Sequence, residues 1–161
     1  MSRPGPAPFL ALAAALLVAG CWGGKGGKQP ARAPATPPLR IEVTAARDSN
    51  QGGSLVVVVR KTDRAGFLAE DYDAIADGVF AEPRDPAVLR VAIVQPGHEV
   101  TLDVPRALAQ GEVLGLYFLF STPGDRWRLA VGDVSVPGVR VRLGASGIAS
   151  VEKRKSVEKR K

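Results

Sequence analysis

The chain has 161 residues, a formal net charge of +6, one cysteine and one histidine. A single cysteine forms no intramolecular disulfide. His98 is the sole histidine, and the lone cysteine, Cys21, is predicted below to carry a lipid, so a Cys/His nucleophile pair and a histidine-based metal site are both excluded. Residues 41–150 hold 11 Lys or Arg against 14 Asp or Glu, so the basic surplus lies towards the two ends of the chain. The basic isoelectric point is therefore no argument for nucleic-acid binding.

The N-terminal segment, residues 1–20, has the pattern of a secretory signal peptide. Arg3 precedes an apolar run of 11 residues, Phe9 to Ala19, whereas a spanning helix needs roughly 20. The stretch Val18-Ala19-Gly20-Cys21 resembles the bacterial lipobox, whose cysteine is acylated and becomes the new amino terminus. A lone thiol has no structural use in an oxidising compartment. We therefore predict a covalent lipid on Cys21 and no other cofactor.

Residues 21–38 predict a tether between this lipid and a folded domain. The stretch is Gly-rich and then Pro-rich, WGGKGGKQPARAPATPP over residues 22–38. Such a composition cannot pack a core, and it gives a chain that is flexible first and then stiffer. It would hold the domain away from a membrane surface.

From residue 39 onward the hydrophobic periodicity predicts seven or eight short strands. Residues 40–45 and 98–104 alternate apolar and polar positions, which is typical of half-buried strands. Residues 55–60 and 113–121 are apolar on both faces, which favours strands covered on both sides. The other predicted strands span residues 88–94, 127–131, 139–143 and 148–151. With turn signals between them, these strands indicate a mainly β fold, a β-sandwich over residues 39–150.

One helix is predicted after the second strand, around Leu68 to Asp77. Apolar side chains recur there at helical spacing, namely Leu68, Tyr72, Ile75 and Val79. The acidic residues of the segment would lie on the opposite side. They lack the alternating third oxygen donor of a cation site, so we interpret them as a solvated face: Glu70, Asp71, Asp73 and Asp77.

The residues do not assemble an acid, a base and a positioned nucleophile, so we predict that the protein is not an enzyme. Ser146 lies in a sequence that does not fit a nucleophile elbow. His98 follows Pro96-Gly97 and is predicted to be an exposed turn residue, whereas Trp127 is predicted to be core. Residues 151–161 form a basic tail in which Val151–Lys155 repeats as Val157–Lys161.

Four stretches, taken in order, resemble a known family. They are Val56–Arg60, Phe67–Tyr72, Gln95–Glu99, and Leu114–Phe120 followed by Trp127-Arg128. Their order and spacing are similar to those of the TssJ family, the outer-membrane lipoproteins of type VI secretion systems. The resemblance covers roughly residues 39–145.

This resemblance implies a transthyretin-like sandwich, lipid-anchored on the periplasmic face of the outer membrane, with no nucleic-acid or small-molecule ligand. It also implies binding to the periplasmic domain of an inner-membrane TssM-type subunit, partly through the loop between the first two strands. We expect that loop to be separable from stability, since exposed polar loops on a rigid scaffold suit partner sites. Its residues are Arg47, Asp48, Ser49, Asn50, Gln51, Gly52 and Gly53.

Two other functions stay open at the level of sequence. One is a periplasmic lipoprotein that binds carbohydrate or peptidoglycan, which exposed aromatic side chains would mark. The other is an assembly pilot for an outer-membrane pore. For the partner site, the alternative to the loop is the helix surface around Glu70, Asp73 and Asp77.

Overall fold

The computed structural model describes residues 36–154, which lie within the second of the two units of the chain, Met1–Pro34 and Ala35–Lys161. The signal peptide, Cys21 and most of the tether therefore lie outside the described residues, as do residues 155–161. Eight strands and two α-helices follow one another along the described part, with a short 3-10 turn at Ser49–Gly52 between the first two strands. Their bounds are β1 Leu39–Ala45, β2 Leu55–Asp63, α1 Arg64–Ala69, α2 Tyr72–Val79, β3 Val88–Val94, β4 Glu99–Val104, β5 Glu112–Leu119, β6 Arg128–Val131, β7 Gly138–Leu143 and β8 Ile148–Arg154.

The strands form two four-stranded sheets, which confirms the predicted mainly β sandwich. Sheet A has the order β4-β1-β7-β8, and sheet B has the order β3-β2-β5-β6. All neighbouring strands are antiparallel except β1 and β7, which are parallel and place Ile41 opposite Val139. Strand β5 is an inner strand of sheet B, as the apolar run through it predicts.

The apolar core lies between the two sheets, and a second apolar cluster lies between sheet B and the helices. Strands of sheet A contribute alternate residues to the core, whereas the inner strands of sheet B are buried on both faces. In β1, Ile41 and Val43 point into the main apolar cluster between the sheets. In β2, Val57 and Val59 join that cluster, whereas Val58 faces the other way and packs with Tyr117 under the helices. The prediction that β2 is covered on both faces is therefore confirmed.

The prediction of a single helix around Leu68 to Asp77 is wrong, because the segment forms two short helices. Glu70 has an extended backbone (φ −63°, ψ 131°) and ends α1, and the Asp71 side chain then caps α2 by accepting from the backbone N–H of Asp73 at 2.9 Å. Leu68, expected on the buried side, is 66% exposed. Ile75 is buried as predicted.

The last strand is longer than predicted. Strand β8 runs to Arg154 and pairs with β7 along its length, with Glu152 opposite Arg140 and Arg154 opposite Gly138. Residues 151–154, which the sequence pattern assigned to a basic tail, thus belong to the edge of sheet A. Among residues 36–154, no helix has the length and apolar character needed to cross a membrane.

Candidate functional site

Four connections meet at one end of the sandwich, called here the loop end: residues 46–54, 95–98, 120–127 and 144–147. Backbone hydrogen bonds join them to one another and to the strands. The N–H of Gly97 donates to the carbonyl of Ala45 at 2.9 Å, and the N–H of Asn50 donates to the carbonyl of Ala145 at 2.8 Å. The loop end is therefore a braced surface, and the predicted partner loop is part of it.

Asn50 is the central brace of the predicted partner loop. Its side chain donates to the carbonyl of Ser54 at 2.7 Å and accepts from the backbone N–H of Ser121 at 2.6 Å. Ser49 is fully buried, and its hydroxyl lies 2.9 Å from the carbonyl oxygen of Gly144. Buried polar side chains are stable only when they are hydrogen-bonded in this way. Ser49 and Asn50 therefore hold the loop in place and are turned away from a partner.

The backbone of the loop is in an uncommon conformation that displays its tip. Asn50, Gln51 and Gly52 have positive φ angles of 52°, 56° and 82°. For the two residues that carry a Cβ this region costs energy, although asparagine tolerates it better than most residues. Such strain persists when surrounding contacts determine the conformation, and it is found often at binding sites. The hydrogen bonds of Asn50 supply those contacts.

The remaining residues of the predicted site lie at the surface. Arg47, Asp48, Gln51, Gly52 and Gly53 are exposed. Within residues 36–154, neither Arg47 nor Asp48 has an ion-pair partner. The predicted partner loop thus offers one cation and one anion side by side on a braced turn, a charge pattern that suits polar recognition.

A second cluster, which the sequence did not predict, fastens the helices to sheet B. The Glu70 carboxylate accepts from the hydroxyl of Tyr117 and pairs with Arg60 at 3.1 Å, and Arg60 also pairs with Asp85 at 2.9 Å. The expectation that Glu70 lies on a solvated face is therefore wrong. Burial first, and then the hydrogen bond to Glu70, raise the pKa of Tyr117 well above its usual value.

Arg128 explains the role of the Trp-Arg pair singled out in the sequence. Its guanidinium donates to the carbonyls of Phe67 at 2.7 Å and Glu70 at 2.6 Å, so it caps the C-terminal end of α1. The same group lies 5.1 Å from the ring centres of Phe67 and Trp127. Trp127, predicted to be a buried core residue, is half-buried: it packs against the apolar cluster under the helices and lies edge-on to Tyr72 at 5.0 Å.

The helices also reach the loop end. The hydroxyl of Tyr72 donates to the carbonyl of Phe120, the residue next to Ser121, whose N–H bonds to Asn50. Burial, and secondarily the neighbouring Asp73 charge, raise the pKa of Tyr72. The helical cover and the partner loop are therefore connected through residues 120–121.

These features define a class of protein: an eight-stranded sandwich with a two-helix insertion after its second strand and a braced loop at one end. A profile of the family described as "IglE, N-terminal domain" matches residues 56–142, which is more than half of the chain. The chain belongs to this family. No curated protein matches it.

Three solved structures are similar in fold. The T6SS lipoprotein TssJ1 from Pseudomonas aeruginosa matches with a TM-score of 0.55 and 22% identity, covering 74% of this chain and 99% of that one. Serratia marcescens Lip, described as a membrane bound component of the Type VI Secretion System, matches at 0.52 and 15%, covering 76% and 100%. A chain in the structure described as the T6SS protein TssM C-terminal domain from EAEC matches at 0.51 and 20%, covering 72% and 99%. The resemblance to TssJ-type proteins is confirmed at the level of the fold.

Proposed function

We propose that this protein is the outer-membrane lipoprotein of a type VI secretion membrane complex. In this role the lipid on Cys21 anchors the domain, and the loop end binds the periplasmic domain of a TssM-type inner-membrane subunit. The family match and the fold shared with TssJ1 and Lip support the assignment. The protein would act by holding two membranes together and would have no catalytic step.

The observation that carries the proposal is the placement of the two attachment points. The tether enters the domain at Leu39, the first residue of β1, and the partner loop follows Ala45, the last residue of β1. The 7 residues of this strand separate the two points by about 20 Å at the usual rise per residue. A lipid anchor at one end and a braced binding loop at the other are what a connector between a membrane and a protein partner requires.

The loop end has the chemistry for specific recognition of a protein. Because Ser49 and Asn50 already order the loop in the free protein, binding there would lose little conformational entropy. Arg47 and Asp48 would then contribute charge-assisted hydrogen bonds to complementary groups on the partner, which favour specificity and fast association. We therefore narrow the proposed contact residues to Arg47, Asp48, Gln51, Gly52 and Gly53.

A charge exchange at the loop tests this proposal without changing the net charge. In Arg47→Glu/Asp48→Lys the two exposed charges are swapped, and the matched control, Glu82→Lys/Arg84→Glu, swaps two exposed charges after α2. We expect the loop variant to weaken capture of the TssM-type periplasmic domain from the same organism by at least about tenfold, near 1.4 kcal/mol. The control should bind like the wild type.

Both variants should keep their melting temperatures within a few degrees, because surface substitutions normally change stability by less than about 0.5 kcal/mol. Wild-type capture by a folded loop variant would overturn the proposed site. If Asp77→Lys on α2 weakened capture while the loop variant did not, the site would belong to the helix surface instead.

A further inference from the structure

The partner loop is too small to form a stable interface by itself. Its exposed residues are Arg47, Asp48, Gln51, Gly52 and Gly53, and none of them carries a large apolar side chain. A stable protein–protein interface takes about 20–30 residues from each side, or roughly 800 Å² per partner. The core of such an interface is rich in apolar side chains and poor in charged ones. A partner bound at the loop therefore also contacts a neighbouring surface.

The outer face of sheet A does not supply an apolar centre for such an interface. In β1 the alternate residues Arg40, Glu42 and Thr44 lie on this face, because Ile41 and Val43 point into the core. Register then places one arginine of β7 beside each of the last two, with Arg140 opposite Glu42 and Arg142 opposite Thr44. Polar side chains of this kind are typical of a sheet face that stays in water.

The outer face of sheet B has the opposite character, and the helices do not cover all of it. Register places Val56 opposite Ile93 in β3 and opposite Leu119 in β5. Val57 and Ala92, which follow Val56 and precede Ile93, pack into the core between the sheets, so these three side chains point outwards. We call Ile93, Val56 and Leu119 the apolar row. It spans about 10 Å at the usual strand spacing.

The apolar row adjoins the loop end. Val56 is the second residue of β2, Leu119 is the last residue of β5, and Ile93 is the last but one of β3. Each is the outward-facing residue of its strand that lies closest to the loop end, and the connections that meet these strand ends belong to it. Val56 and Leu119 pack partly against the cluster under the helices, but Ile93 is 66% exposed.

Polar residues border the row on the side of Ile93. Ile93 lines an open surface hollow together with Gln95 and His98, and both of these are exposed. The side chain of Arg47 reaches the same connection, since a Cβ added at Gly97 would lie 3.4 Å from the Arg47 Cγ. The partner loop and the row therefore belong to one continuous surface. An apolar centre with a polar rim is the composition of a protein-binding surface.

We propose that the apolar row is the apolar centre of the site for the TssM-type periplasmic domain, with Ile93 as its main anchor. The identity of this partner rests on the proposed function. The occupant would be an aliphatic or aromatic side chain of that domain, beside polar groups that meet Arg47 and Asp48. Burial of Ile93 would remove from water the apolar area that the loop lacks. The row would then supply affinity, and the charges of the loop would supply specificity.

Two matched substitutions separate the row from exposed apolar surface elsewhere. Ile93 and Leu68 are equally exposed, at 66% each, and Leu68 lies on α1. Ile93→Lys should weaken capture of the TssM-type periplasmic domain from the same organism at least about tenfold, because it replaces an anchor by a charge in the interface core. Leu68→Lys makes the same change in charge and should bind within about twofold of the wild type. Equal losses in both variants, or wild-type capture by Ile93→Lys, would overturn the inference.

A milder variant keeps the test decisive if a lysine disturbs β3. Ile93→Thr keeps a β-branched side chain, and with it the preference for a strand, while it removes apolar area. We expect its melting temperature to stay within a few degrees of the wild type and its capture of the partner domain to weaken about threefold or more. A folded Ile93→Thr protein with wild-type capture would contradict the anchoring role.

A methyl NMR titration tests contact at the row directly. In isoleucine-labelled protein, the methyl signal of Ile93 should shift when the TssM-type domain is added, whereas that of Ile41, which is fully buried in the core, should stay unchanged. An Ile93 signal that does not respond at saturation would overturn the inference. The inference would also be overturned if the wild-type chain sedimented as a dimer that Ile93→Lys dissociates, because the row would then join two copies of this chain.

The outcomes distinguish this inference from the proposed function. A wild-type chain that does not capture the TssM-type domain would contradict the proposed function itself. Capture that is lost in Arg47→Glu/Asp48→Lys but unchanged in Ile93→Lys would overturn the apolar row and leave the proposed function intact. Capture that is lost in Ile93→Lys and kept in Leu68→Lys would support the row.

Discussion

Replacing Asn50 by alanine tests whether the loop end is braced as the structure shows. The change removes both side-chain hydrogen bonds, the 2.7 Å bond to the carbonyl of Ser54 and the 2.6 Å bond from the N–H of Ser121. It also places alanine at a φ of 52°, where a side chain without a local hydrogen bond is disfavoured. Two separate effects therefore act in the same direction.

The expected loss is about 2–4 kcal/mol. Each hydrogen bond contributes about 0.5–1.5 kcal/mol net. The left-handed conformation adds about 1 kcal/mol for alanine relative to asparagine. Ser54 and Ser121 are exposed, so water can hydrogen-bond to the Ser54 carbonyl and the Ser121 N–H once the Asn50 side chain is gone. No additional cost for leaving a buried polar group without a partner is therefore included. The total is a large part of the roughly 5–15 kcal/mol that stabilises a domain.

Urea unfolding followed by tryptophan fluorescence measures this loss, and two further variants separate its causes. Asn50→Gly removes the hydrogen bonds but tolerates the positive φ, so it should lose about 1 kcal/mol less than Asn50→Ala. Asp48 lies in the same loop, but it is exposed and has no ion-pair partner within the described residues. The free energy of unfolding of Asp48→Ala should therefore stay within about 0.5 kcal/mol of the wild type. An Asn50→Ala protein as stable as Asp48→Ala would refute the bracing role and restore the view of a loop separable from stability.

Three other predictions concern the core, the two tyrosine phenols and the anchor. Phe118→Ala should destabilise the domain by about 3–5 kcal/mol because the side chain is fully buried, whereas Phe80→Ala, at a site that is 77% exposed, should change the melting temperature little. Since the pKa values of Tyr72 and Tyr117 are raised above 10.0 in the folded state, their stabilising effect should be complete below pH 10 and decrease above it, as the unfolded phenols ionise first. An absorbance titration showing two normal phenols in the folded protein would contradict this. Cys21→Ser should yield a folded protein in the soluble periplasmic fraction, and a variant that still sediments with the outer membrane would show that the lipid is not the anchor.

The strands were predictable because their signal is local. Alternation along β1 indicates a strand with one buried face, and the β-branched run of β2 indicates a strand with two. Both patterns are read from residues that are neighbours in the sequence. The break between α1 and α2 was not predicted, because apolar residues continue at helical spacing through it. Glu70 has an extended backbone there and contacts Arg60 and Tyr117, and Tyr117 lies 47 positions further along the chain.

In the partner loop too, some features were predictable from the sequence and others were not. Its polar composition and its position between two strands indicated an exposed, functional loop, and Arg47, Asp48 and Gln51 are exposed. The burial of Ser49 and Asn50 depends on residues 121 and 143–145, more than 70 positions away. A pattern within the loop carries no information on such contacts.

The sequence by itself determined the features that depend on near neighbours: the lipobox resemblance at Cys21, the β-rich domain and the family likeness. Only the tertiary structure decided which polar residues of the partner loop are buried and which are exposed. It also decided that β1 begins and β8 ends at the same end of sheet A, opposite the partner loop. The physical reason is that strand order and register bring together residues that are far apart in the chain. Arg106 meets Pro37, Asn50 meets Ser121, and Arg154 meets Glu42 only after both sheets have formed.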